Sequence, residues 1–140
     1  MLSQDYIMRQ IQQFFQVLNT ILTQVIKLKQ EQGQAEAMTY TNEVLVEEFE
    51  FNLDELAIII KEQGISALKN ETSFNNDHLE ILGDIFYEIA DIGFEDPEKH
   101  QQSLSYFEHS LMLFEFIEYD DKTYSIDRNL KITKIKSYLN

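Results

Sequence analysis

Only four glycines and one proline interrupt the 140 residues of this chain, and that scarcity of breakers constrains its fold more than any other feature. Hairpins and sandwiches draw on Gly and Pro for the backbone angles of their tight turns, so a β-rich architecture would have little to turn with. The stretches between the breakers are rich in Leu, Glu, Gln and Lys, which lose little side-chain freedom in a helix. Hydrophobic residues make up 44% and charged residues 26% of the chain, which suits a packed core rather than a disordered segment. The expectation is an all-α fold, one domain over residues 1–140, built as an antiparallel array of about six helices with short loops.

Hydrophobic spacing places those helices. Ile7, Ile11, Phe14, Leu18, Ile21, Val25 and Leu28 alternate four and three apart, a heptad seam along a first helix over residues 4–31. Phe15, Leu22 and Ile26 widen the seam, while Gln10, Gln13, Gln16 and Gln24 occupy the other side. Gly33 is placed as the C-terminal cap. A second helix covers residues 34–50, with Met38, Val44, Leu45 and Phe49 inward and Glu36, Glu43, Glu47 and Glu50 outward. Asn52 followed by Glu55 is a capping-box signature that restarts the chain as a third helix, ending near Gly64. Residues 65–69 add a short turn and residues 70–76 a polar loop. A fourth helix over residues 77–92 gathers Leu79, Leu82, Phe86, Ile89 and Ala90 on one face. Asp96-Pro97-Glu98 then opens a fifth, aromatic helix that reaches residue 117. Thr123 or Ser125 caps a last helix carrying Leu130, Ile132, Ile135 and Leu139.

Several functions are excluded by what the chain lacks or carries. Without cysteine there is no disulfide, thiol nucleophile or Cys-bound metal. The start, Met1-Leu2-Ser3-Gln4-Asp5, has no basic region before an apolar run, and the longest apolar stretch is Leu56–Ile60. A cytoplasmic location without a membrane partner is therefore expected. The net charge of -14 repels phosphate backbones, which argues against nucleic acid. The charge is also uneven: residues 35–98 hold 17 Asp and Glu against Lys61 and Lys69. From Lys122 onward, Lys122, Arg128, Lys131, Lys134 and Lys136 face Asp127 alone. An acidic body carries a basic tail.

Residues 76–117 resemble a tetratricopeptide repeat. Leu82-Gly83 stands where that family has its Leu-Gly step, with Leu79 upstream and Phe86 in the aromatic position. In the following helix Ser103, Phe107 and Ser110 have the spacing of the family's small, aromatic and small residues. The connection at residues 93–98 is longer than the family's, Ser replaces Ala twice, and Glu115 stands where a closing proline would be. The resemblance implies a helical hairpin followed by a capping helix, and a protein- or peptide-binding role without catalysis or cofactor. The opening Asp5-Tyr6-Ile7-Met8-Arg9-Gln10-Ile11 is also similar to the start of small bacterial proteins, which supplies no function.

Asp77, Glu80, Asp84, Glu88 and Asp91 recur three or four apart and so line one face of the fourth helix. Like charges at that spacing weaken a helix. Ligand-facing positions of the resembled repeat fall on Asp77, Glu80, Asp84, Tyr87 and Glu88, a surface that would attract a basic protein or peptide. The plainer reading is a solvated face that keeps the chain soluble. A further expectation is that the basic tail folds over this stripe and masks it. The chief alternative function is a structural homodimer assembled through the first helix. A third is a carboxylate-bound metal drawing on Glu43, Glu47 and the stripe. His78, His100 and His109 lack helical Glu-x-x-His spacing and read as structural residues.

Overall fold

The structure is a computed structural model that describes residues 4–31 and 33–140; Met1-Leu2-Ser3 of the opening lies outside the described residues. These are organised as α1 (Gln4–Glu31), α2 (Gln34–Phe49), α3 (Leu53–Gln63), α4 (Ile65–Thr72), α5 (Asn76–Gly93), α6 (His100–Asp121) and α7 (Ile126–Leu139). Among the described residues there are seven helices rather than six, because residues 65–72 form a helix of their own and not a bare turn. Gly64, at φ +95°, is the break between α3 and α4, a conformation that side-chain-bearing residues rarely adopt.

Helix α5 is the axis of the fold. It packs along α6 and α1 and also meets α2, and Leu79, Ile81, Leu82, Ile85, Phe86, Ile89 and Ala90 are all buried. A helix apolar over most of its circumference belongs inside. Partners on α6 come in reverse order: Asn76 bonds Asp120 and Asp121, the Gly83 carbonyl accepts from Ser110 Oγ, and Phe86 meets Tyr106. The two helices therefore run antiparallel. Gly83 is required by this contact, since a Cβ there would lie 2.6 Å from Phe114 Cε1.

The α1 seam is consumed inside the molecule. Leu18, Ile21 and Val25 are fully buried and Phe14 and Leu28 half-buried, whereas Ile7 in the second turn is exposed. This helix rests on α5 and α2. The strong apolar run of α3 turns instead toward α4 and α6.

Helix ends depart from the expected pattern where side chains compete with glycine. Gly33 is extended (φ -95°) and opens α2 as its N-cap rather than closing α1. The Asn52–Glu55 capping box forms as expected. A second box joins Asn75 and His78, with the Asn75 N–H donating to His78 Nδ1 at 2.9 Å. Nδ1 thus accepts, so Nε2 carries the proton and donates to the Ile11 carbonyl at 2.8 Å. His78 is a buried brace between α5 and α1. Asp96 and Pro97 do not begin α6; Asp96 Oδ1 accepts from the Glu98 N–H and its carbonyl from the Lys99 N–H, closing a turn before His100. On α7, Leu130 is 65% exposed. Arg128 takes the buried place, because Arg128, Ile132 and Ile135 share a face at i, i+4 and i+7.

Candidate functional site

The acidic stripe projects from α5 toward α7 and the C-terminal turns of α1, and its members have different surroundings. Asp77, in the first turn, is exposed and makes no ion pair among the described residues. Glu80 binds the guanidinium of Arg128, whose side chain is 3% exposed. The same guanidinium reaches Glu118 of α6 at 3.4 Å and donates to the Thr123 carbonyl at 2.8 Å. Asp84 accepts from Lys131 Nζ at 2.7 Å, and Lys131 also meets Asp127 at 3.1 Å. Tyr87 is buried, with Lys131 and Lys134 over its ring at 5.4 and 5.8 Å and Phe107 edge-on at 5.4 Å. Glu88 is claimed by Lys29 of α1 at 3.0 Å, and Asp91 by Lys29 and Lys134.

Three cations of one helix therefore sit on the stripe at i, i+3 and i+6, matching acids spaced four and seven apart on α5. Helix α7 is itself held on α6, with Ile132 and Ile135 buried and Tyr138 stacked on Phe94 at 4.2 Å. Its reach to α5 is through long side chains.

Burial sets the electrostatics. Desolvation pushes the Asp84 carboxyl up to about 6, against the pull of the Lys131 ammonium. Burial also works against the charge on Lys131, but Asp84 and Asp127 outweigh it and hold its pKa above the ordinary value. Lys29 follows the same pattern, with Asp91 and Glu88 overcoming its desolvation. The Tyr87 hydroxyl is raised chiefly by burial.

The carboxylates weighed as a metal site are not brought together: no group of three or more His, Asp or Glu among the described residues could hold an ion. Glu43 and Glu47 are exposed on α2. The histidines face backbone: besides His78, His100 Nδ1 donates to the Phe94 carbonyl at 2.8 Å and His109 Nδ1 to the Ser105 carbonyl at 2.7 Å. Burial lowers the His109 pKa. Its neighbour Tyr106 donates to Asp54 at 2.8 Å in a hollow of about 290 Å³ between α3 and α6.

Sequence reasoning missed one polar node. Gln34 is 2% exposed and donates from Nε2 to the Ile89 carbonyl at 2.9 Å and to Ser103 Oγ at 3.2 Å. It lies against Gly93, where a Cβ would fall 2.2 Å from that nitrogen. The signal available was a line of Gln34, Ala37, Thr41, Leu45 and Phe49 at helical spacing, visible only if small and polar residues are allowed inward. Comparison with family models, curated proteins and solved structures finds no match. No helix of the described residues is long and apolar enough to cross a membrane.

Proposed function

We propose that this chain is a protein-binding helical module whose acidic α5 face recognises a basic segment and is occupied, in the free protein, by its own basic helix α7. One observation carries the reading. Arg128, Lys131 and Lys134 fill the stripe as a basic helical ligand would, each on a different carboxylate. A partner presenting cations at the same spacing competes with α7 for Glu80, Asp84 and Tyr87 and with Lys29 of α1 for Glu88, and displaces α7. The α5–α6 pair, with Gly83 against Phe114 and Ser110 on the Gly83 carbonyl, is consistent with a tetratricopeptide-like hairpin, and α7 would be its capping helix. The reading needs no cofactor and no chemistry. Burial of Leu18, Ile21 and Val25 against α5 and α2 favours it over a homodimer built on the α1 seam.

The test is calorimetric titration of the chain with a synthetic basic helical peptide carrying Arg, Lys and Lys at i, i+3 and i+6. Replacing Lys131 and Lys134 by Glu frees the stripe of two competitors and should tighten binding about tenfold. An unchanged affinity would remove α7 as the resident competitor and the stripe as the binding face.

A further inference from the structure

We infer a second docking surface, independent of the α5–α7 latch, in the groove between α1 and α2, and assign it to a basic amphipathic helix of another protein. Hollows of about 400 and 350 Å³ lie end to end along this groove and share Tyr40 in their lining. The first also reaches Leu28, and the second Val17 and Val44. These are half-buried apolar side chains packed against the core, so they form a floor that stays wet only while nothing covers it. Between Gln16 and Leu28 the groove follows α1 for about 18 Å, at about 1.5 Å per residue, the length of roughly three helical turns. A cleft between two packed helices receives the ridge of a third.

The walls differ, and the difference selects the occupant. On the α2 side Glu36, Glu43 and Glu47 lie at i, i+7 and i+11, one line down the helix. Residues 34–50 contain no Lys or Arg, and neither Glu43 nor Glu47 enters an ion pair among the described residues. Glu36 is partly engaged by the Gly33 N–H at 3.1 Å. The α1 wall is uncharged where it lines the hollows, with Gln16, Thr20 and Gln24; the exposed Lys27, seven residues from Thr20 and so on the same side of α1, lines neither hollow and pairs with none of these acids among the described residues, and Lys29 is turned to α5. In contrast to the α5 stripe, whose acids are matched by internal cations, this rim is uncompensated. An apolar floor with one acidic and one amide-bearing wall fits a helix with an aliphatic stripe flanked by Lys or Arg. The net charge of -14 works against a second copy in that place.

The probe is a synthetic 14-residue leucine–lysine peptide with helical amphipathic spacing, titrated into the full-length ¹⁵N-labelled chain by NMR and into unlabelled chain by calorimetry. Amide shifts should concentrate on residues 16–28 and 35–48. Glu43→Gln with Glu47→Gln should weaken binding about tenfold. Glu62→Gln with Glu71→Gln, which removes the same charge elsewhere, should change affinity less than about twofold. A peptide of the same composition in scrambled, non-amphipathic order should bind far more weakly. Equal losses in the two charge pairs, equal binding of the scrambled peptide, or shifts centred on α5 and α7 would each overturn the assignment. Light scattering of the free protein should give a monomer. A dimer that the Glu43→Gln, Glu47→Gln variant dissolves would give the groove to a second copy and equally overturn it.

Discussion

Asp84 should make folding stability fall as pH rises through the weakly acid range, and removing its charge should abolish that fall. Its carboxyl stands at about 6 in the fold against 3.8 as the ordinary value, so between those values the folded chain holds a proton that the unfolded chain has lost. Stability then has a negative slope with pH: the contribution is full below the unfolded value and is lost as pH rises through the folded one. At about 1.4 kcal/mol per pKa unit, the whole effect is about 3 kcal/mol, of which about 2 is lost between pH 4 and pH 7. The side chain is 16% exposed, so little of this is screened by water. His109 works in the opposite sense, since its lowered pKa costs stability as pH falls below its ordinary value of 6.5. The wild-type profile alone would mix the two. Asp84→Asn isolates the carboxylate, because His109 and the general charge repulsion are common to both proteins. Urea unfolding at pH 4 and pH 7 should show the wild type losing about 2 kcal/mol relative to the variant over that interval. Parallel profiles for the two proteins would refute the burial of an ionisable Asp84 beneath Lys131.

Arg128→Met should cost about 1–3 kcal/mol in urea unfolding, less than a fully buried pair because Glu80 and Glu118 keep about a third of their surface and can rehydrate. Lys136→Ala, which removes an ion pair exposed on both sides, should cost at most about 0.5 kcal/mol by the same measurement. Gly83→Ala should cost about 1–3 kcal/mol by overpacking the α5–α6 contact, and adding Phe114→Leu should recover part of the loss if the clash with that ring is the cause. Thr41 Oγ1 is buried without a hydrogen-bond partner among the described residues, so Thr41→Val should raise the thermal midpoint by stabilising the fold about 1 kcal/mol.

Periodicity made most of the helical order legible, because burial follows apolar spacing wherever an element has one clear face, as in Leu18, Ile21 and Val25. It failed at ends and at polar contacts. Glu50, Ser73 and Lys122 adopt left-handed backbone at three helix C-termini, so those stops carry no glycine to announce them. Gln34 and Arg128 are buried because of partners remote in sequence, Ile89 and Ser103 for one and Glu80 for the other. For the stripe, the sequence carried the acids and the basic tail but not their registry. Lys29 shows why: it lies 59 residues from Glu88, and nothing local to α1 marks it as the cation that closes the far end of the face.

That closure has an energetic consequence for any partner of α5. Undocking α7 exposes Ile132 and Ile135, 6% and 0% accessible when docked, at about 1.5–3 kcal/mol each, and separates Tyr138 from Phe94. The ion pairs of Arg128, Lys131 and Lys134 add to this and the side-chain freedom regained on release offsets it, leaving a cost of about 3–4 kcal/mol and an open fraction of roughly 0.1–1%. A ligand with nanomolar affinity for the bare stripe would then present an apparent affinity in the range of about 0.1–1 μM. The ion pairs of Lys131 and Lys134 are partly exposed and contribute about 1–2 kcal/mol of the latch. Their reversal raises the open fraction about tenfold and leaves the apolar anchor in place. A much larger gain in affinity would mean that the anchor depends on those pairs and that α7 leaves as one cooperative unit.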